Sequence, residues 1–101
     1  MKITVNTEYK GGMAFESKIG AHKIIMDAHS ESGGNNLGPS PKPLLMSSLA
    51  GCTAMDIVSI LKKMKVAFDS FNIVTEGIID DDHPKRYTEI TIVYQFKGSE
   101  I

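Results

Sequence analysis

The chain has 101 residues, a length that suits one domain and leaves no room for a multidomain enzyme. Hydrophobic residues make up 42% and charged residues 23%, and the formal net charge of -1 gives no excess of positive charge to attract nucleic acid or an anionic membrane. The single cysteine, Cys52, excludes an internal disulfide, and the first residues lack the apolar run of a signal peptide. These features predict a cytoplasmic protein with no nucleic-acid or membrane partner.

Three short strands are predicted in the N-terminal quarter. Lys2 to Tyr9 alternates apolar and polar side chains with period two, the pattern of a half-buried strand. Gly11–Gly12 supplies the positive φ of a hairpin turn, and Met13 to Ser17 continues as a second strand. Gly20 ends it, and His22 to Met26 forms the third. The simplest arrangement is an antiparallel meander.

A polar segment follows from His29 to Lys42, rich in glycine, serine, asparagine and proline. A loop of this length in a compact domain is uncommon unless it is functional or ordered by contacts. Because Gly33 to Gly38 precedes a helix, an anion site is one interpretation. The segment lacks the spacing and the terminal Lys-Ser/Thr of a phosphate-binding loop, so a simple reversal of chain direction is favoured.

The strongest pattern is a long helix from about Lys42 to Lys65, with Ser40 suited to its N-cap and Pro41 to its first position. Asp56 is the only charge in its central part. A helix apolar on nearly all sides is expected to be buried, in a protein or in a bilayer. Its scattered hydroxyl groups and its place between strand patterns favour a protein core over a membrane span. One stripe carries Leu45, Leu49, Cys52 and Asp56.

A hairpin is predicted after the helix. Phe68 to Ile79 forms its first strand, Asp80 to Arg86 its turn, and Thr88 to Phe96 its second strand, which alternates cleanly. The order is therefore three strands, one long helix and two strands, a single α+β domain over residues 1–101. Two small groups of strands do not cover so long an apolar helix, which predicts a second subunit.

Cys52 is the candidate reactive group. The thiolate is the nucleophilic form, and its pKa falls near a positive charge or a helix N-terminus. Because Cys52 lies about three turns into the helix, its activation would need a neighbouring base or cation. A free cysteine also packs well as a small hydrophobe, and composition alone favours this structural role.

Other candidate groups have weaker patterns. Asp56 within an apolar helix either makes core hydrogen bonds, the favoured interpretation, or faces a cleft, since an unpaired buried carboxylate is costly. His22, His29 and His83 lie on different elements and show no metal-ligand spacing. No metal site and no cofactor are predicted.

The segment from Gly38 to Met64, with Leu49-Ala50-Gly51-Cys52 at its centre, resembles the signature of the OsmC/Ohr family, and in particular its OsmC-like branch. The resemblance spans nearly the whole chain. It implies an intertwined homodimer whose N-terminal strands form sheets shared across the interface, with Cys52 at or near that interface. Smaller matches are Gly20-x-His22, Asp27-Ala28, Gly33-Gly34 and His83-Pro84-Lys85-Arg86-Tyr87.

The characterised members of this family reduce organic hydroperoxides. They use a peroxidatic cysteine on the central helix, a resolving cysteine on a later helix and an Arg–Glu pair that activates the thiolate. Cys52 matches the peroxidatic position, but Lys42 stands where the activating glutamate would fall, the N-terminal strands hold no arginine, and no second cysteine is present. We also expect that the chain lacks the C-terminal helical part of the family.

The resemblance thus implies two functions. In the first, Cys52 reduces organic hydroperoxides with an external thiol as reductant, and Lys42 and Asp56 are candidate activating groups. In the second, the chain is a non-catalytic OsmC-fold protein that binds a small apolar ligand or a partner, with Cys52 in a structural role.

Overall fold

The computed structural model describes residues 1–82 and 85–98. The predicted α+β order is confirmed, with three antiparallel strands before a long helix and two after it. The chain divides into two compact units, one ending at Leu44 and one beginning at Leu45. The elements are β1 (Asn6–Gly11), β2 (Ala14–Ile19), β3 (His22–Met26), a 3₁₀ helix (Ser30–Ser32), α1 (Pro41–Lys63), β4 (Ser70–Ile79) and β5 (Tyr87–Lys97).

The first sheet has the order β1-β2-β3, all antiparallel. Gly11 and Gly12 adopt positive φ in the first turn, as predicted, and Gly20 does so in the second. The prediction that the first strand begins at Lys2 is wrong, because β1 begins at Asn6. Asn6 pairs with Lys18, and β2 ends one residue later, so the residues before Asn6 have no strand to pair with. Ile3 is accordingly 77% exposed.

One face of this sheet carries most of its apolar side chains but has little cover within its own unit. The Tyr9 and Phe15 rings lie 5.4 Å apart across the β1–β2 pair, and the Thr7 and Ser17 hydroxyls form a 2.8 Å hydrogen bond beside them. Ser17 is buried, yet Tyr9 remains 60% exposed. The face is therefore only partly sealed by the single chain.

The two ends of α1 follow from local sequence. The Ser40 carbonyl accepts the Leu44 N–H, which places Ser40 at the N-cap with Pro41 as the first helical residue, as predicted. At the other end, the Val66 N–H bonds the Leu61 carbonyl at 3.0 Å and the Lys65 N–H bonds the Lys62 carbonyl at 3.1 Å. This pair of bonds is a Schellman motif, with Lys65 at its left-handed position, φ 58°.

Lys65→Gly is expected to raise the free energy of unfolding by about 1 kcal/mol, because a side chain in the left-handed region is strained and glycine is not. The measurement is urea denaturation at one fixed protein concentration. Lys63→Gly is the control, since it places glycine at an ordinary helical position and should destabilise by about 1 kcal/mol. Destabilisation by Lys65→Gly would contradict the assignment of the motif.

The expectation that α1 is buried on nearly all sides is wrong for the single chain. No residue of α1 is buried, and Met55 and Leu45 are 75% and 59% exposed. Within the unit that holds most of the helix, β4 and β5 form a sheet of only two strands, and so narrow a sheet can cover one side of the helix at most. That side approaches the sheet closely: a Cβ at Gly77 would lie 2.9 Å from the Met46 Sδ and 2.5 Å from the Tyr87 ring.

The second sheet pairs β4 with β5 in antiparallel register. Phe71 and Phe96 face each other across the pair and their rings stack at 4.1 Å. Phe68, predicted in the strand, lies before it and packs edge-on against Phe96. Asp80 and Arg86 close the turn with a 2.9 Å backbone hydrogen bond and a 3.4 Å ion pair. His83 and Pro84 lie outside the described residues.

Candidate functional site

Cys52 lies on the exposed side of α1. The predicted stripe lies on one face, because its four residues recur at helical spacing on α1, and all four are exposed: Leu45, Leu49, Cys52 and Asp56. Leu45 and Leu49 make the N-terminal half of this face apolar, and Asp56 follows Cys52 by one helical turn. In the single chain Cys52 is therefore accessible, not packed as a small hydrophobe.

Asp56 is close enough in sequence to act on the Cys52 thiol. Residues four apart on a helix are neighbours, with roughly 5–6 Å between their Cβ atoms. A carboxylate at this distance can accept a hydrogen bond or a proton from a thiol. Thr53, next to Cys52, bonds the Ala50 carbonyl at 3.1 Å through its hydroxyl. Asp56 is thus the acidic group that the helix brings to Cys52.

Lys42 is not brought to Cys52 of the same chain. It lies half-buried in the first turn of α1, ten residues before Cys52. At 1.5 Å per residue this is about 15 Å along the helix axis. An exposed charge pair is largely screened beyond roughly 8 Å at physiological ionic strength. Lys42 can therefore stabilise a Cys52 thiolate only if that thiolate belongs to a second copy.

An open apolar cavity lies on α1 beside this face. Its volume is about 390 Å³, and its lining is largely apolar. The lining suits an apolar molecule or an apolar side chain of another protein, and the presence of Lys62 among the lining residues suits a ligand that carries an anionic group. The lining residues are Ala54, Met55, Val58, Ser59 and Lys62.

The buried carboxylate of Asp27 was missed by sequence reasoning, which noted this residue in the Asp27-Ala28 match to the family and assigned it no role. Asp27 is 2% exposed. Its Oδ1 accepts the Ala28 N–H at 2.7 Å, and its Oδ2 accepts the N–H groups of Asn35 and Leu37 at 3.1 and 3.2 Å. An aspartate directly before a loop rich in glycine and asparagine is the signal that predicts such bonds, since Asp readily bonds nearby backbone N–H groups.

Two opposing effects set the pKa of Asp27. Burial disfavours the charged form and raises the pKa, whereas the backbone N–H groups of Ala28, Leu37 and Asn35 favour the carboxylate and lower it. The three hydrogen bonds prevail, so the pKa of Asp27 lies below its ordinary value.

This lowered pKa gives a prediction for stability against pH. A carboxyl group whose folded-state pKa is depressed stabilises the fold fully above its unfolded pKa, and that contribution disappears as the pH falls through the folded value. We therefore expect the difference in urea midpoint between the wild type and Asp27→Asn to be large at pH 7 and to shrink below the ordinary aspartate range. Asp81→Asn, an exposed aspartate of the turn, is the control and should show no such dependence. A difference independent of pH would contradict the prediction.

Metal chemistry finds no support among residues 1–82 and 85–98, which contain no group of three His, Cys, Asp or Glu side chains placed to hold an ion. His22 and His29 are exposed on separate elements, β3 and the loop that follows it. His83 lies outside the described residues.

These features define the class of protein: a small α+β protein whose long helix presents one accessible thiol on an apolar face. A family model described as OsmC-like protein matches residues 33–101, and the chain belongs to this OsmC-like family. Protein YhfA of Escherichia coli K12 is 28% identical over 92 residues, as is its counterpart in Shigella flexneri. The match covers 89% of this chain but only 65% of YhfA, so the chain spans less than two thirds of the length of these relatives.

Two solved structures share the fold. A protein from Psychrobacter arcticus 273-4, described as an osmotic stress induced and detoxification response protein, superposes with a TM-score of 0.83 at 24% identity, over 97% of this chain and 72% of that one. A hypothetical protein from Aquifex aeolicus VF5 gives 0.80 at 29% identity, over 95% and 67% of the two chains. At 24% identity, the similarity to the Psychrobacter protein shows a shared fold and nothing further.

Membership of the family also bears on the apolar helix. Pro41–Lys63 is long and apolar enough to cross a membrane, with a mean hydropathy of 1.7, and none of that stretch is buried within the single chain. The core helix of a globular protein meets the same criteria. Since the helix belongs to an OsmC-like α+β fold and carries Asp56 in its middle, a protein core is the favoured interpretation.

Proposed function

We propose that this protein is a homodimeric, thiol-dependent reductase of organic hydroperoxides with Cys52 as its nucleophile. The observation that carries the proposal is the exposed Cys52 thiol on the apolar face of α1, at the position of the peroxidatic cysteine that the family resemblance implies. The proposal extends to this chain an activity expected of the family. The experiments below test it on the chain itself.

Uncovered apolar surface supports the proposed homodimer. Large apolar side chains are exposed both on α1, among them Met55 and Leu45, and on the first sheet, among them Tyr9 and Phe15. Monomeric proteins rarely expose contiguous apolar patches of more than a few hundred Å². A second copy offers complementary apolar surfaces for both faces. Its approach would also remove water from around Cys52.

The proposed reaction begins with transfer of the Cys52 thiol proton to the neighbouring Asp56 carboxylate. The thiolate attacks the terminal oxygen of the hydroperoxide, the O–O bond breaks, and the leaving alkoxide takes the proton from Asp56. The products are the Cys52 sulfenic acid and an alcohol. One external thiol then condenses with the sulfenic acid, releasing water, and a second reduces the mixed disulfide. An external dithiol therefore replaces a resolving cysteine.

The apolar surroundings favour an organic hydroperoxide over hydrogen peroxide. Leu49 and Met55 flank Cys52 on α1, and the cavity beside them has a largely apolar lining that includes Lys62. An apolar body gains free energy there by leaving water, about 0.8 kcal/mol for each buried CH₂ group. We expect kcat/KM to rise with the length of the alkyl chain.

Steady-state consumption of cumene hydroperoxide with dithiothreitol as reductant tests the proposal directly. The expected result is a rate well above the reaction of the two reagents alone, with hydrogen peroxide consumed more slowly. A rate equal to that background, measured with fully reduced protein, would overturn the proposed activity.

The apolar cavity supports a second function, the binding of a small apolar ligand with no reaction at Cys52. The dependence of Cys52 alkylation on pH separates the two functions. A reactive nucleophile titrates below the ordinary thiol value of ~8.5, whereas an inert thiol titrates at or above it. An inert thiol together with saturable binding of a fatty acid would favour the ligand-binding function.

Lys42 is proposed to act on Cys52 of the other subunit. Lys42→Met is expected to lower kcat/KM by about tenfold or more, as the loss of an ion next to a developing thiolate does. Because the distance along α1 excludes action within one chain, Lys42→Met and Cys52→Ser chains should complement each other when refolded together. Random pairing yields about half heterodimers with one intact site each, or about a quarter of wild-type activity. No recovery in the mixture would contradict action across the interface.

A further inference from the structure

Asp27 is the buried ionisable group that the proposed chemistry does not use. Its carboxylate accepts three hydrogen bonds, all from backbone N–H groups of the segment that follows it. The donors at Asn35 and Leu37 lie eight and ten residues further along the chain, so one side chain gathers both ends of the glycine-rich loop, residues 28–39. A carboxylate is needed here, since only an ionised side chain accepts at both oxygens without presenting a donor.

The end of the loop next to α1 is held by a backbone hydrogen bond and by contacts too close to admit a side chain. The Asp27 N–H bonds the Pro39 carbonyl at 3.2 Å. A Cβ at Gly38 would collide with the Ile25 carbonyl, and one at Gly34 with the Ala28 carbonyl, so the loop backbone lies directly against the end of β3. The loop is thus held by Asp27 at its start, at Asn35 and Leu37, and at Pro39.

These contacts extend to the start of α1. Pro39 is two residues before the first helical residue, Pro41, and the Ser40 carbonyl between them accepts the first helical hydrogen bond, from Leu44. Lys42 follows three residues after Pro39, a distance over which the chain has little freedom once both Pro39 and the helical turn are fixed.

We propose that Asp27 is a positioning residue that, through the glycine-rich loop, fixes the first turn of α1 and with it Lys42. Its effect on the backbone is inferred from the hydrogen bonds alone. Its effect on hydroperoxide reduction rests on the proposed function, because it operates through the Lys42 ammonium.

Amide hydrogen exchange tests the effect on the backbone. In Asp27→Asn, which puts amide hydrogens opposite backbone donors, peptides covering residues 28–44 should exchange at least about tenfold faster than in the wild type, with β4 unchanged. Asp81→Asn, the exposed aspartate of the β4–β5 turn, is the matched control and should leave both regions unchanged. Unchanged exchange of the loop, or equal acceleration of the whole chain, would overturn the proposal.

If the Asp27→Asn protein does not fold, a second measurement, made on the wild type, tests the same hydrogen bonds. In the wild type, the amide proton resonances of Ala28, Asn35 and Leu37 should shift together as Asp27 is protonated in acid, because all three donate to one carboxylate. Separate midpoints, or a titration that moves one of the three resonances and leaves the others unchanged, would overturn the shared contact.

A double-mutant cycle tests the link to Lys42. Asp27→Asn should lower kcat/KM about tenfold in the wild-type background and leave it unchanged in the Lys42→Met background, whereas a general loss of stability would add its effect in both. Additive effects would overturn the positioning role. If the wild type shows no hydroperoxide reduction, the proposed function fails, and the exchange experiment, which needs no activity, decides the role of Asp27.

Discussion

Replacing Cys52 by serine is expected to abolish hydroperoxide reduction, with kcat/KM falling by at least about 10³-fold. A serine hydroxyl has a far higher pKa than a thiol and is a poor nucleophile toward an O–O bond, so neither Asp56 nor a second-copy lysine can compensate for the change. The measurement is consumption of cumene hydroperoxide with dithiothreitol at matched protein concentration. Ser47→Ala, a change of similar size at an exposed position on the same helix, is the control and should retain full activity.

The structure makes this experiment interpretable, because Cys52→Ser should not unfold the protein. Cys52 is exposed in the single chain, and a substitution that differs by one atom at such a position changes stability by no more than about 0.5 kcal/mol. Equal urea midpoints with lost activity would locate the effect in the chemistry. An unchanged rate in Cys52→Ser would exclude Cys52 as the nucleophile and leave the apolar cavity as the feature to explain.

Local patterns in the sequence predicted much of the fold. The strand His22–Met26 was predicted with its observed bounds, because Gly20 and the polar residues after Met26 mark both ends. The alternation along β5 correctly placed Ile90, Ile92, Tyr94 and Phe96 on one face, where their partners on β4 include Phe71 and Gly77. In these cases the information lies within a few residues, in turn chemistry and side-chain period.

The wrong predictions have a common cause. Each concerns a feature that depends on neighbours distant in sequence. The residues before Asn6 alternate like a strand, but the length of β2 leaves them no partner. The composition of α1 predicts burial, but no residue of α1 is buried in the single chain. An apolar face is buried only where another surface packs against it, and the composition of the helix does not supply that surface. Asp27 was overlooked because two of its three donors lie eight and ten residues away in a loop without periodicity.

Only one part of the candidate site could be predicted from the sequence. The shared face of Leu45, Leu49, Cys52 and Asp56 follows from helical spacing and is confirmed. The family pattern assigns positions to Lys42 and Cys52, but it does not show whether the two side chains meet. Residues ten apart on one helix are not neighbours in space. In the proposed homodimer that relation would depend on the second copy, and so would the environment of Cys52.

The second large effect is therefore expected from a charge placed in the proposed dimer interface. Met55 is 75% exposed in the single chain, so Met55→Asp should be tolerated by an isolated subunit. In the homodimer it would bury an unpaired carboxylate at two related positions, at a cost of at least about 2 kcal/mol each. Since 1.4 kcal/mol is a factor of ten, the dissociation constant should rise by about 10³-fold.

Sedimentation equilibrium over a range of protein concentrations measures this shift, and Met64→Asp provides a control with the same chemical change. Met64 is 65% exposed just beyond the last residue of α1, between Lys63 and Lys65, where a carboxylate finds cations and water. Met64→Asp should therefore leave dimerisation unaffected. Because Met55 also lines the cavity proposed for the substrate, the loss of activity expected in Met55→Asp does not by itself locate the defect in the interface. Activity that survives in the monomer would show that one chain holds the complete site. A wild-type chain that sediments as a compact monomer would contradict the homodimer itself, because the apolar side of α1 would then be stable in water without cover.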